Sequence, residues 1–261
     1  MTRLAGVIST YAAQSLAAVR TSFADRTNFV LQVGGMVVNN GFWWVLWALF
    51  FLGFREVGGW RLGDVARMLG VIYVMFGLST VFFGGYRDLG GAILRGDIDP
   101  LLTQPGPLLP RLLARESIPS AWGDLATGVV VLALSARLDL AGFALVVVAI
   151  VIAMTAWLAT GILFASIAFW FAGGRTLARD LMDFTLMVSM YPASIYSGWT
   201  KIVAFTVLPA GFVSMAPVAL VRNPSWQAFA LAVGGAAAYA AVALTVFHLG
   251  LRRYRRGGAP G

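Results

Sequence analysis

Few side chains in this sequence are equipped for chemistry. There is no cysteine, one histidine (His248) and one lysine (Lys201). The absence of cysteine removes thiol nucleophiles, disulfides and thiolate metal sites together. A lone histidine excludes the two-histidine HExxH zinc motif, and no serine loop stands near it for a serine protease. "RLGD", "LRGD" and "AWGD" each lack the leading glycine of an aspartyl-protease Gly-x-Gly-Asp motif. The lysine sits in "GWTKIV", with no glycine-rich turn before it and no Ser/Thr after it, so the chain has no Walker A motif. Any ATP hydrolysis must come from another polypeptide.

What is left is a handful of polar groups embedded in apolar runs. Asn39 and Asn40 lie in the middle of one run, where buried amides either join helices or line a path. Asp124 lies inside another, and an ionisable group within a membrane is a functional hypothesis by default. Arg179 and Asp183 are four apart and are expected to pair on one helix. His248 reads as an interface residue. Met187, Met190, Tyr191, Pro192, Tyr196, Phe205 and Pro209 form a soft, partly aromatic group that suits either a core or a path for bulky apolar molecules.

The elements that position these groups follow from composition. The chain is 59% hydrophobic and 11% charged, against about a quarter charged in soluble domains. The class is all-α integral membrane. The net charge of +8 lies on arginines placed singly or in pairs beside apolar runs, which argues for topology and against nucleic acid. Residues 3–27 alternate Leu4, Ile8, Tyr11, Leu16, Val19 and Phe23 with arginines and are expected to lie as a helix in the interface. A cleavable signal peptide is the rival, but Ser9, Thr10 and Gln14 interrupt its apolar centre. Six spans are expected at 29–54, 65–85, 117–136, 140–172, 181–197 and 225–249. The small-residue stripes Ala149/Ala153 and Ala232/Ala236/Ala240 permit close helix contact.

Residues 198–221 could span or dip and return, and charge arbitrates. With a re-entrant hairpin there and both termini inside, thirteen basic residues lie inside and six outside; if the segment spans, the split is ten to nine. The positive-inside rule prefers the hairpin between spans five and six. Residues 86–115 are then cytoplasmic. They contain "GDIDPLLTQPGPLLPR", with two aspartates and four prolines. Leu89, Ile93 and Leu94 predict a short helix stopped by Gly96, and Asp99-Pro100 predicts the N-cap and first residue of a second. The product is a stiff knob with an apolar side (Leu89, Ile93, Ile98, Leu102) and charged edges (Arg87, Asp88, Arg95, Asp97, Asp99). It either packs on the bundle or docks a soluble partner.

At this point the sequence resembles the permease subunits of bacterial type-2 ATP-binding-cassette transporters. The resemblance rests on Gly96, Ile98, Asp99, Leu102 and Pro105 of the loop. It rests equally on the late run Tyr191-Pro192, Ile195-Tyr196, Trp199, Pro209 and Pro217, and covers nearly the whole chain. Pro100 and Gln104 depart from the apolar and basic residues of that pattern. The resemblance implies a multi-pass protein of the bacterial inner membrane, paired with a second permease, identical or homologous, and two copies of an ABC ATPase. Arg87, Asp88, Arg95, Asp97, Ile98, Asp99 and Leu102 would dock that ATPase. ATP and Mg would sit on the ATPase, with no cofactor or metal in this chain. Export of a hydrophobic or amphipathic solute follows, and an ion-coupled secondary transporter is the alternative.

Overall fold

The computed structural model describes residues 2–104, 106–135 and 139–257, with side chains from Ser9 onward. The side chains of Arg3, Leu4 and Ile8, and all of Pro105, Ala136 and Arg137, lie outside the described residues. Twelve α-helices are described: α1 (Thr2–Ser22), α2 (Arg26–Gly53), α3 (Leu62–Phe83), α4 (Leu89–Leu94), α5 (Asp99–Leu102), α6 (Leu108–Leu113), α7 (Ser120–Ser135), α8 (Leu140–Ser166), α9 (Gly174–Ser189), α10 (Gly198–Thr206), α11 (Ala216–Arg222) and α12 (Trp226–Gly257). Among the described residues there is no strand, only an isolated bridge between Val57 and Trp60.

Four helical segments are long and apolar enough to cross a bilayer: 26–53, 62–94, 140–169 and 226–257. α10 and the segment 211–222 meet at 85° and together supply a fifth if counted as one broken span. Two of the six expected spans differ from expectation. The third, expected over 117–136, begins at Ser120 and is 16 residues long, because Pro119 cannot donate and holds Ile118 out of the helical region. At 1.5 Å per residue it covers about 24 Å, short of a hydrocarbon core of about 30 Å. The fifth, expected over 181–197, runs instead from Gly174 to Ser189. Pro192 forces the chain out of the helix at its far end, and Arg175, Arg179, Asp180 and Asp183 are helical rather than loop.

The remaining boundaries shift for local reasons. α1 stops at Ser22 because the Asp25 side chain accepts from the Asn28 amide and starts α2. α8 tightens into a 3₁₀ turn at Ile167–Phe169 instead of running to Ala172. α12 does not end at Leu249 but continues through the arginines to Gly257, where cations suit a helix C-terminus. The cap of α5 is Ile98, not Asp99; Asp99 and Pro100 are its first two residues.

α3 forms the centre of the bundle. Over their most apolar stretches, 78% of its residues are buried, against 11% for α2 and 17% for α12. In lipid, burial from water does not drive helices together, so close packing must. α3 and α7 meet on glycines: a Cβ on Gly77 would lie 2.7 Å from the Leu125 backbone nitrogen, and one on Gly128 2.7 Å from that of Val74. α8 and α12 pack along buried alanines, Ala149 and Ala153 on one, Ala232 and Ala236 on the other. α1 packs on the bundle through its polar side. Tyr11 and Ser15 donate to the Phe82 carbonyl and Gln14 to that of Arg111, while Leu16 is exposed. Burial lifts the Tyr11 hydroxyl to about 12.

Candidate functional site

At one end of the bundle the chain folds residues 84–113 into a compact knob. Its entry is a 3₁₀ turn, Gly84–Asp88. Tyr86 is buried there and its hydroxyl accepts from Trp157 Nε1 at 2.8 Å and shares a bond with Thr80. Gly85 is required by close approach, since a Cβ there would run into the Leu112 carbonyl. α4 is buried along Leu89, Gly90, Gly91, Ala92 and Ile93. Gly96 turns the chain at φ +75°, in the left-handed region.

Ionic and polar bonds then tie the knob to two other helices, α9 and α12. Asp88 accepts from Arg175 Nε of α9 at 2.8 Å and pairs with Arg95 at 2.9 Å. Arg95 also binds Asp97 at 2.7 Å, and Arg115 approaches Asp97 at 3.8 Å. The hydrogen bonds it donates to Asp97 and Asp88 hold the Arg95 guanidinium above its ordinary pKa. Tyr254 of α12 donates to Asp99 Oδ1 at 2.8 Å. Arg111 is buried, and its guanidinium donates to the Leu101 carbonyl at 2.7 Å, to Gln104 Oε1 at 3.0 Å and to the Pro107 carbonyl at 3.3 Å. Gln104, where a basic residue was expected, is thus the partner of an internal arginine.

The seven residues expected to meet a partner divide in the structure. Asp97 and Asp99 are exposed, as is Arg95, and Leu102 is half-buried. Ile98 is fully buried and anchors the knob to the bundle. Asp88 is the internal link to α9. Arg87 is also exposed but faces another way: its guanidinium lies 5.7 Å from the Phe76 ring centre and lines two open cavities.

Those cavities adjoin. One, of about 510 Å³, is lined by Arg87, Asp88, Arg175, Arg179 and Asp183 among others. The second, of about 330 Å³, shares Phe76, Arg87, Asp183 and Leu186 with it and reaches Asn39, Asn40, Tyr73 and Asp124. Asn40 Nδ2 donates to Asp124 Oδ1 at 2.8 Å, and Tyr73 donates to the Asn40 carbonyl at 3.4 Å. Asp124 is 4% exposed, and its Oδ2 has no hydrogen-bond partner among the described residues. A buried carboxylate with one oxygen unmatched is costly to leave so. The rest of the wall is apolar, with Trp43, Met36, Met187 and Met190 beside the aliphatic Ile72 and Leu186. The expected Arg179–Asp183 pair is not formed among the described residues, and neither carboxylate of Asp180 and Asp183 pairs with Arg20 or Arg26; Arg179 and Asp183 both face the larger cavity.

Of the nine residues expected along a path, Asn39, Asn40, Met187 and Met190 share this cavity. Tyr191 and Pro192 line a separate apolar groove of about 760 Å³ with Trp47, Phe50 and Trp60. The two are linked by Tyr191, whose ring lies 6.2 Å from Trp43 and 5.9 Å from Trp47. Tyr196 instead donates to the Val188 carbonyl, Phe205 packs against Phe212 at 5.1 Å, and Pro209 lies in the break before Gly211, so these three belong to the packing of 198–222. Sequence reasoning missed Trp43, Tyr73 and Phe76 as lining residues. Tyr73 and Phe76 are one helical turn apart on α3, but so are many residues of a core helix.

The family profile described as "ABC-2 family transporter protein" matches residues 37–258. No curated protein and no solved structure matches the chain. The profile runs from α2 into the end of α12 and takes in the knob and every expected site residue from Asn39 to Pro209. The chain therefore belongs to the ABC-2 transporter family, as a transmembrane permease.

Proposed function

We propose that this permease is the membrane subunit of an ATP-driven exporter in a bacterial inner membrane, moved by a separate ATPase that docks on the exposed face of residues 95–104. The observation that carries this is the Asp88–Arg175 bridge together with Tyr254–Asp99. A push on the knob is passed at once to α9 and α12, and α9 forms one wall of both adjoining cavities. In this reading the four long segments cross together with the shorter α7 and α9, whose flanking residues complete the distance, and 198–222 returns to its own side. The cytoplasmic placement of the knob and of both termini follows from the thirteen-to-six charge split. The largely exposed α2 and the apolar groove beside it favour a second permease as the covering partner.

The lining of the smaller cavity supports a reading of the solute class. Aromatic rings and methionines suit a bulky apolar body, and the unmatched Asp124 oxygen suits a hydrogen-bond donor or positive charge on it. The transported solute is therefore amphipathic and drug-like rather than purely hydrocarbon. Co-expression with a candidate ABC ATPase from its genomic neighbourhood tests this reading. Deleting residues 96–105 is expected to abolish co-purification and solute-stimulated ATP turnover; undiminished co-purification would refute docking there.

The same carboxylate supports a second reading. A buried Asp124 that binds and releases a proton would suit an ion-coupled secondary transporter. Reconstitution separates the two: uptake driven by a proton gradient in vesicles holding this chain alone would favour the second.

A further inference from the structure

A further cavity lies behind the knob, away from the proposed solute path. It holds about 550 Å³ between residues 101–111 and the last part of α12. On the α12 side it is lined by Leu244, Phe247, His248, Leu251, Arg252 and Arg255, of which Leu244, His248, Arg252 and Arg255 form one row. These four follow one another at steps of four, four and three, so they share one helix face. Along that face the order is apolar, imidazole, guanidinium, guanidinium. The opposite wall is leucine and proline, including Leu102, Pro107 and Leu109. Its one charged residue, Arg111, is occupied with the loop's own oxygens.

Among the described residues no carboxylate lines this cavity. Arg252 and Arg255 are exposed and form no ion pair among the described residues. Leu244 is 42% exposed, so the apolar end of the cavity opens on the outer face of α12. The arginines follow directly on the apolar run of this helix, which sets them at the level where hydrocarbon gives way to headgroups. The cavity therefore changes from apolar to cationic in the direction in which a phospholipid changes from acyl chain to phosphate. Guanidinium groups suit phosphate oxygens, and basic pockets between membrane helices on this side suit anionic headgroups.

We propose that this cavity binds one anionic phospholipid, with its phosphate on Arg252 and Arg255 and its upper acyl chain between Leu244 and the leucines of residues 101–109. The lipid then braces the knob against α12 beside the Tyr254–Asp99 bond. This site rests on the cytoplasmic placement of the knob and borders the proposed docking face at Leu102 and Gln104, but it does not depend on the identity of the solute.

The test uses the full chain in neutral detergent, with phosphatidylglycerol or phosphatidylcholine added at equal mole fraction and bound lipid counted by native mass spectrometry. Phosphatidylglycerol is expected to be retained in preference. Arg252→Gln with Arg255→Gln should weaken its retention about tenfold. Arg253→Gln with Arg256→Gln removes the same charge from the same helix outside the cavity and should change it less than about twofold. Leu244→Trp leaves the charge intact, fills the opening and should also displace the lipid. Inorganic phosphate at millimolar concentration should not compete. Equal weakening by the two double variants would overturn the proposal in favour of a diffuse basic tail. Competition by phosphate, with Leu244→Trp without effect, would overturn it in favour of a bare anion site. No preference between the two lipids would also overturn it. If the first double variant elutes as aggregate, Arg255→Gln alone in the same assay decides.

Discussion

Asn40 and Asp124 meet across two helices, and the size of their interaction decides what each is for. A hydrogen bond to a charged group contributes about 1.5–3 kcal/mol, and removing one partner leaves the other buried and unmatched. Asn40→Leu should therefore lower stability by about 1–3 kcal/mol, and adding Asp124→Leu should restore part of that loss. Thermal unfolding of the single and double variants in detergent checks the cycle. Asp124→Leu should in addition abolish solute-stimulated ATP turnover even where stability recovers. Both residues stood out in the sequence because polar groups in apolar runs are conspicuous; that they bond to each other did not, since 84 positions separate them. Arg111 shows the opposite case. It reads as one more flanking basic residue, yet its guanidinium organises the loop from inside. Nothing in the local pattern distinguishes a buried arginine that meets carbonyls from an exposed one that meets water.

At the scale of elements, the close meeting of α3 and α7 carries the sharpest expectation. A side chain at Gly77 meets backbone of α7, which cannot rotate away, so Gly77→Val should cost about 1–3 kcal/mol or force the helices apart. Gly34 on α2 has nothing within 4 Å of a built Cβ, so Gly34→Ala should be neutral or stabilising by up to about 1 kcal/mol. Paired unfolding measurements check the contrast. The long spans were legible from apolar length alone, and the knob from its prolines and Gly96. The ends of α7 and α9 were not. Hydropathy averages over Pro119 and Pro192, whereas a helix stops at them. The charged start of α9 read as loop because Asp88, its partner, lies 87 positions away.

For the whole molecule the question is whether motion at the knob reaches the cavities. The Asp88–Arg175 bridge is half-exposed, and such pairs contribute only about 0–1 kcal/mol to stability. Its value is then geometric. Arg175→Glu should leave unfolding nearly unchanged yet uncouple ATP turnover from solute movement, and Asp88→Arg in the same chain should restore coupling in part. Transport per ATP hydrolysed in proteoliposomes is the readout. Recovery in the swap would separate a coupling contact from a folding contact, because the two share sites but not readouts.

The absence of cysteine makes the most direct measurement available, because one introduced thiol is unique in the chain. Thr103 is exposed on the knob, and Thr103→Cys places that thiol where the ATPase is proposed to sit. The account predicts no reaction with a membrane-impermeant maleimide in intact cells, reaction in inverted vesicles stripped of the ATPase, and protection when the ATPase is restored. Labelling of the introduced thiol from outside intact cells would put the knob on the wrong side of the membrane and contradict the account.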